Sequence, residues 1–299
     1  MTVVAGPRPA VGIGYRHVIH DWTCDNLTRF DVLEITVDHC LTGNARMRDM
    51  MFALADRIPV TAHGIGLSIG TDVPLDLAYL DQVAAIVERI KAPAYSEHLA
   101  FTRVPGRDLA NLLPLPKTQS VAASIIEKVR VVQSKIPVQF LLENITYLFE
   151  WPDCEMSDAE FLTLICSETG AGILLDIENL YLNASNHGFA AHDFLDALPS
   201  GIVREMHMAG GVSVHDDALH RPLLADSHSS PVPAEALDLL AYALKRQSPN
   251  AIVLERDERL DEVEEIIDDL ARIRACVAES ISTNPPSQDN DRPAARSTG

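Results

Sequence analysis

The sequence predicts an α/β fold, a single TIM-like (β/α)8 barrel with a metal site at the mouth where the strands end. Apolar, β-branched runs alternate with helical patterns along the 299 residues, as the strands and helices of a buried parallel sheet do. Eight such runs are present, which is the number that closes this type of barrel. Six of the runs end in a histidine, aspartate or glutamate.

The predicted elements follow one another in regular order. The eight strands begin near Val11, Val32, Ile58, Ala92, Pro137, Ala171, Val203 and Ala251. Apolar residues at helical spacing predict helices over Arg46–Arg57, Leu77–Lys91, Ser120–Lys135, Asp158–Thr169, Pro233–Arg246 and Leu260–Ala278. Ser157 followed by Glu160 is a capping-box pattern that indicates the start of the fourth helix.

Two long connections and a polar terminus complete the organisation. Leu99–Thr118 and Met208–Pro233 are predicted to be loops at the carboxyl end of the barrel, where specificity usually resides. From Ile281 the composition becomes polar, without a core-forming pattern. We therefore predict a barrel domain over residues 1–280 and a disordered polar tail over residues 281–299.

Composition excludes several classes of protein. The net charge of −19 argues against a nucleic-acid partner, because surfaces that bind phosphate backbones are normally basic. No apolar run is long enough to span a bilayer and no signal peptide is apparent, so no membrane association and a cytoplasmic location are expected. The five cysteines are scattered without a CxxC pair, which indicates neither disulfides nor a thiolate zinc site.

The strand ends supply a candidate metal site. In a parallel barrel all strands end at the same mouth, so the side chains that follow them converge. The candidates at these ends are His63, His98, Glu143, Asp176, His207 and Glu255. Imidazole and carboxylate together suit a first-row transition metal. Glu97 precedes His98 and points to the opposite face; either it orients an imidazole or it makes an ordinary salt bridge or loop hydrogen bond.

Two carboxylates stand out among these candidates. Glu143 follows a strongly apolar run, where an unpaired charge is costly, and a role bridging two metal ions would suit it. Asn144 is interpreted as its neutral hydrogen-bonding companion. Asp176 is predicted to face the mouth, whereas Glu178 is left as a surface group or a neighbour of the site.

One of the long connections adds a chelating pair. Asp226 and His228 form an Asp-x-His pattern, which on an extended segment places both side chains on one side. Asp257 is expected just outside the ligand set, and His215 and His220 are interpreted as polar loop residues. Eight candidate ligands exceed what one tetrahedral ion needs, so two or three ions are the better interpretation.

Ten motifs resemble the DUF692 family, the multinuclear non-heme iron-dependent oxidative enzymes. The matching segments run from Val11 to about Ala278 and read VGIGYR, HGIGLSIG, YSEHLAF, LLPLP, LLENITY, TGAGILLDIENLY, NHGF, HMAGG, DSHSSPV and LERD. The resemblance implies two or three irons (Fe2+/Fe3+) held at the barrel mouth. The implied ligands are His63, His98, Glu143, Asp176, His207, Asp226, His228 and Glu255, with Glu143 and Asp176 essential for catalysis.

The resemblance also implies an activity and its partners. Such enzymes use dioxygen to oxidise ribosomally made precursor peptides, with cysteine as the usual target, and a small leader-binding partner protein commonly assists. The chain departs from the family pattern at Glu178, where an asparagine is usual, and at Arg256, where a tryptophan often stands. Both departures lie beside candidate ligands and could alter the pocket.

The same candidate ligands are consistent with two other functions. A metal-dependent hydrolase or isomerase on a xylose-isomerase or endonuclease IV-like barrel would also gather histidines and carboxylates around several metals. A non-catalytic scaffold that retains metal for folding and binds a peptide is the second alternative. Metal identity separates the first alternative from the iron enzyme, and peptide turnover separates the second.

Overall fold

The computed structural model of the chain describes residues 8–216 and 220–283. Its strands are β1 (Ala10–Gly14), β2 (Leu33–Thr36), β3 (Val60–Gly64), β4 (Ala94–His98), β5 (Phe101–Val104), β6 (Arg107–Leu113), β7 (Gln139–Glu143), β8 (Gly172–Asp176), β9 (Val203–Met208), β10 (Val212–Asp216), β11 (Arg221–Ala225) and β12 (Ala251–Leu254). Its α-helices are α1 (His20–Asp25), α2 (Val37–Thr42), α3 (Ala45–Ala55), α4 (Leu77–Ile90), α5 (Gln119–Lys135), α6 (Asp158–Thr169), α7 (Ile177–His187), α8 (Ala191–Ala197), α9 (Ala234–Leu244) and α10 (Val263–Thr283).

Eight of these strands form one closed parallel barrel, which confirms the predicted fold class. Their order around the barrel is β1-β12-β9-β8-β7-β4-β3-β2, and the helices surround it. Every residue of β2, β3, β8 and β12 is buried, as expected for a sheet covered on both faces. Consecutive strands therefore all end at one mouth of the barrel.

The predicted helices are present, with small differences at their ends. The predicted capping box opens α6: the Ser157 side chain accepts a hydrogen bond from the Glu160 backbone, and the Glu160 carboxylate accepts one from the Ser157 backbone. The last helix begins at Val263 rather than Leu260 and continues to Thr283. The rest of the predicted tail, residues 284–299, lies outside the described residues.

The two long connections are not irregular loops throughout, because each contains a hairpin. β5 and β6 form an antiparallel pair in the first connection, and β10 and β11 form another in the second. Both hairpins follow barrel strands, β4 and β9, and so rise from the mouth end of the barrel.

None of the helices within residues 8–216 and 220–283 combines the length and the apolar character required to cross a membrane.

Candidate metal centre

Strand register brings the candidate ligands together in adjacent pairs. In the β4–β7 ladder His98 lies beside Glu143, and in the β8–β9 ladder Asp176 lies beside His207. Glu255 comes directly after β12, where its backbone N–H donates to the carbonyl of Met208. The sequence placed these residues at strand ends, and the register decides which of them are neighbours.

A first cluster of donor atoms consists of His63, His98 and Glu143. One donor atom from each residue lies within 4.8 Å of the others. Nε2 of His63 is 3.6 Å from Oε2 of Glu143, and Nε2 of His98 is 3.3 Å from the same oxygen. Two imidazole nitrogens and one carboxylate oxygen therefore face a common point.

A second cluster consists of Glu143, Asp176, His207 and Glu255, all buried, with donor atoms again within 4.8 Å of one another. Nδ1 of His207 lies 3.3 Å from Oε1 of Glu143 and 3.0 Å from Oε2 of Glu255. Glu143 thus turns one carboxylate oxygen to each cluster. This is the geometry expected of a carboxylate that bridges two metal ions.

Hydrogen bonds hold two of the imidazoles in a definite orientation. The Ser96 hydroxyl donates to the carbonyl of Ala62 at 3.3 Å and lies 2.9 Å from Nδ1 of His63, so Nδ1–H donates and Nε2 faces the cluster. Nε2–H of His207 donates to Oε2 of Glu34 at 2.9 Å, so Nδ1 faces the cluster. Each ring presents an unprotonated nitrogen to the carboxylates when a cation is bound there.

Asp226 and His228 lie at the rim, outside both clusters. Oδ1 of Asp226 is 2.7 Å from Nε2 of His228, and Nδ1 of His228 is 3.0 Å from Oδ2 of Asp257. The prediction that an extended segment aligns the pair is wrong, because His228 has a left-handed backbone with φ of 48°. The two side chains nevertheless lie together, as the Asp-x-His pattern predicts.

The buried carboxyl groups are electrostatically unfavourable without a cation. Burial raises the pKa of Glu143 to about 7. Burial, followed by the charge of Glu143, raises the pKa of Asp176 to about 8. Within the described residues, no hydrogen bond reaches Oε2 of Glu143 or Oδ2 of Asp176. Two buried carboxylate oxygens without a hydrogen bond fit a bound metal, since buried polar atoms are otherwise nearly always paired.

The imidazoles divide into two electrostatic types. Burial, with His98 and His207 nearby, lowers the pKa of His63 well below its ordinary value, and burial lowers that of His98 to about 4. Burial also acts to lower the pKa of His207, but Glu34, Glu255 and Glu143 outweigh it and raise that pKa well above the ordinary value. His63 and His98 are therefore neutral in the ligand form, whereas His207 carries a proton that a metal must displace.

Two charged residues of the site, Arg16 and Glu34, are not among those that the sequence patterns predict. Arg16 follows β1; its Nη2 lies 3.4 Å from Oε1 of Glu255, and its Nε lies 2.5 Å from Oδ1 of Asp257. Glu34 lies in β2 and contacts His207. Glu34 lies inside the apolar run VLEIT rather than at its end, so the strand-end rule does not find it; a charged residue within an apolar run is the signal that could have. Arg16 had no such signal, because the loop after β1 follows no periodic pattern.

Glu97 makes loop hydrogen bonds rather than orienting an imidazole. Its Oε1 accepts hydrogen bonds from Tyr95 at 2.7 Å, Tyr79 at 3.3 Å and the backbone of Leu67 at 3.1 Å. A Cβ on Gly64 would lie 2.3 Å from the same oxygen, so this position accepts only glycine. The glycine-rich HGIG segment is therefore shaped by a buried carboxyl group.

The structure also locates four other residues named from the sequence. Asn144 is a hydrogen-bonding residue, but of Asp176 rather than of Glu143 as predicted: its side chain donates to the Asp176 carbonyl and accepts from the Asp176 backbone N–H, both at 2.9 Å. Glu178 is not a surface group: it is 1% exposed and accepts a hydrogen bond from the Gly211 backbone. His215 lies in β10, and His220 stands just before β11.

Comparison with known proteins gives both a family and a fold. A family model described as "RiPP precursor modification enzyme MbnB/TglH/ChrH" matches residues 10–278. A UPF0276 protein of Rhizorhabdus wittichii is 32% identical over 240 residues, which cover 80% of this chain and 84% of that protein.

Solved structures resemble the barrel without close sequence identity. A xylose isomerase-like TIM barrel protein from Mycobacterium smegmatis, in complex with magnesium, has a TM-score of 0.59 at 13% identity, covering 92% of this chain and 97% of that one. A 3-keto-D-glucoside 4-epimerase from E. coli has a TM-score of 0.56 at 16% identity, covering 90% and 100% respectively. At such identities the likeness concerns the fold alone.

Proposed function

The chain belongs to the MbnB/TglH/ChrH family of RiPP precursor modification enzymes, also named DUF692 or UPF0276, and from this premise we propose that it is a multinuclear non-heme iron oxidoreductase. It uses dioxygen to modify a ribosomally made precursor peptide, with cysteine as the target residue. The observation that carries the proposal is that Glu143 is shared between two clusters of buried donor atoms.

The two clusters divide the ligands between two ions. His63 and His98 would hold one ion and Asp176, His207 and Glu255 the other, with Glu143 between them. Asp226 and His228 would hold a third ion at the rim or complete the coordination of an inner one. Nitrogen and carboxylate donors of this kind suit Fe2+ and Fe3+.

Iron would supply the redox chemistry toward dioxygen and the peptide, while the chain orients the ligands and controls access. Exposure increases from the barrel interior to the rim: the side chain of His207 is 0% exposed, that of His98 14% and that of Asp226 26%. A substrate therefore reaches the centre from the side of Asp226. Ser96, Glu34 and Asp257 each accept the outer N–H of an imidazole and leave its second nitrogen for the metal.

An apolar groove beside Asp226 suits a peptide substrate. This cavity of about 320 Å³ lies between the two hairpins and is lined by residues that include Leu113, Leu148, Phe149 and Leu224. Leu148 is 73% exposed and Phe149 43%, so both present apolar surface to a ligand. We propose that the peptide segment around the modified residue occupies the groove, and that a small leader-binding partner protein and a cytoplasmic setting complete the system.

The test begins with protein purified without oxygen. Elemental analysis is expected to find two to three irons per chain, with a Mössbauer signal that changes on exposure to oxygen. A short peptide encoded in a neighbouring gene, co-expressed with the enzyme, should then show a mass change that disappears in the Glu143→Ala variant. Protein that carries stoichiometric zinc and does not respond to oxygen would favour the hydrolase or isomerase alternative. Iron without peptide turnover would favour the scaffold.

A further inference from the structure

Glu34 reaches across the inside of the barrel to His207. It lies in β2, whereas His207 lies in β9, and β1 and β12 stand between these strands in the barrel order. The two side chains are 1% and 0% exposed. Because the pair is closed off from water, no solvent molecule can substitute for the carboxylate as a partner of the ring.

The geometry defines which imidazole nitrogen faces the metal site. Nε2 of His207 lies 2.9 Å from Oε2 of Glu34, and Nδ1 faces Glu143 at 3.3 Å and Glu255 at 3.0 Å. A metal ion bound at Nδ1 displaces the proton on that nitrogen, so the remaining ring proton resides on Nε2 and is donated to the Glu34 carboxylate. Nδ1 is left as the coordinating atom.

We propose that Glu34 is a positioning residue that fixes the tautomer and the ring orientation of His207 for coordination through Nδ1. The inference rests on the proposed function in one respect, that His207 is a metal ligand. An anionic acceptor on the outer N–H also makes the imidazole a better donor, and loss of such a partner typically lowers metal affinity about 10–100-fold.

Glu205 offers a matched control within the same pocket. It lies two residues before His207 on β9 and is 3% exposed, and one of its donor atoms lies within 4.8 Å of those of Glu34 and His207. Among the described residues, no hydrogen bond joins Glu205 to the imidazole. A general effect of removing a buried carboxyl group should therefore appear in both variants, and an effect on His207 only in the Glu34 variants.

The first experiment determines by NMR which nitrogen of His207 binds the metal in the wild-type protein. Full-length protein labelled with ¹⁵N-histidine is loaded with Zn2+, and the His207 signals are assigned by their absence in His207→Gln. We expect a protonated Nε2 and a metal-bound Nδ1. Coordination through Nε2 would overturn the proposal while leaving the metal site intact. Absence of any metal binding would overturn the proposed function and this inference together.

The second experiment compares variants by Co2+ binding in competition with a chelator. Glu34→Leu is expected to bind about 10–100-fold more weakly than wild type. Glu34→Gln, which keeps an acceptor oxygen and the same volume, should recover most of that loss. Glu205→Gln should remain within about threefold of wild type. If both Glu34→Gln and Glu205→Gln lose one equivalent of cobalt, the pocket is itself a metal site and the positioning role is overturned.

Discussion

Two buried carboxyl groups on adjacent strands, Glu143 of β7 and Glu97 of β4, have opposite relations to their surroundings. Each is 1% exposed, and burial raises the pKa of Glu143 to about 7 and that of Glu97 to about 8. Glu97 accepts three hydrogen bonds on one oxygen. Glu143 faces imidazole nitrogens, and its Oε2 has no hydrogen bond within the described residues.

The difference indicates which property distinguishes the candidate metal ligands from other buried carboxyl groups of this barrel. Burial and a raised pKa are common to both groups and therefore do not separate them. What separates them is that imidazole nitrogens and carboxylate oxygens of several residues converge around Glu143, an arrangement that suits a cation, whereas phenol and backbone groups donate hydrogen bonds to Glu97. Hydrogen bonds satisfy Glu97 within the chain, whereas Glu143 lies in both clusters of potential metal ligands, where we propose that a metal binds.

The largest expected effect is loss of metal on changing Glu143. Glu143→Ala removes a donor from both clusters at once, so the loss of affinity should exceed the roughly 100-fold upper range for removing an orienting partner. Asp176→Ala should behave similarly, because it removes one of the four residues of the second cluster. Elemental analysis after anaerobic reconstitution measures the result. Full metal content and retained turnover in either variant would contradict its assignment as a ligand.

A smaller loss is expected at the rim. The double variant Asp226→Asn, His228→Gln removes the pair that lies outside both clusters, so it should lower the metal content by at most one ion per chain. The inner clusters remain intact in this variant. Metal stoichiometry combined with Mössbauer spectroscopy distinguishes the sites. Complete loss of iron would mean that the rim pair is part of the inner centre, and unchanged iron that it binds none.

The pH dependence of stability should separate the two environments further. Without metal, Glu143 and Asp176 keep their protons in the folded state up to pH about 7 and about 8, above their ordinary values. At these two groups the folded chain then binds more protons than the unfolded chain, so their contribution to stability falls as pH rises from about 4 to 8.

A bound metal displaces these protons and removes that penalty. The difference in Tm between metal-loaded and metal-free protein should therefore increase from pH 6 to pH 8, and metal affinity should rise over the same range. Glu97 contributes equally to both forms and cancels in the difference. Thermal unfolding followed by circular dichroism, at matched ionic strength, measures it. A difference that is constant with pH would contradict proton displacement at the site.

The smallest effect is expected for Glu97→Gln. Because the pKa of Glu97 is about 8, its carboxyl is mostly neutral at pH 7 and a glutamine closely imitates it. The amide oxygen can accept the hydrogen bond from Tyr95, so stability should change by no more than about 1 kcal/mol. Metal content should equal that of wild type. Loss of metal in this variant would mean that Glu97, like Glu143, contributes to metal binding.

Much of the site was predictable because strand ends are a local property. His63, His98, Glu143, Asp176, His207 and Glu255 follow apolar runs whose length and composition predict strands, and a closed parallel barrel brings such positions to one mouth. The Asp226–His228 pair was also predicted, but the left-handed backbone at His228 was not. Local pattern does not report a single turn of this kind.

The sequence by itself determined the alternation of strands and helices, the barrel and the type of side chain at each strand end. These features depend on the spacing of apolar residues over short segments, which is visible in the sequence without knowledge of the residues that pack against them. Only the tertiary structure decided that Glu143 is shared, that Glu97 is satisfied by two tyrosines, and that Glu34 meets His207 across 173 residues of chain. Hydrogen bonds and exclusion of water at such separations depend on barrel closure and register, because no local pattern encodes which distant side chains face each other.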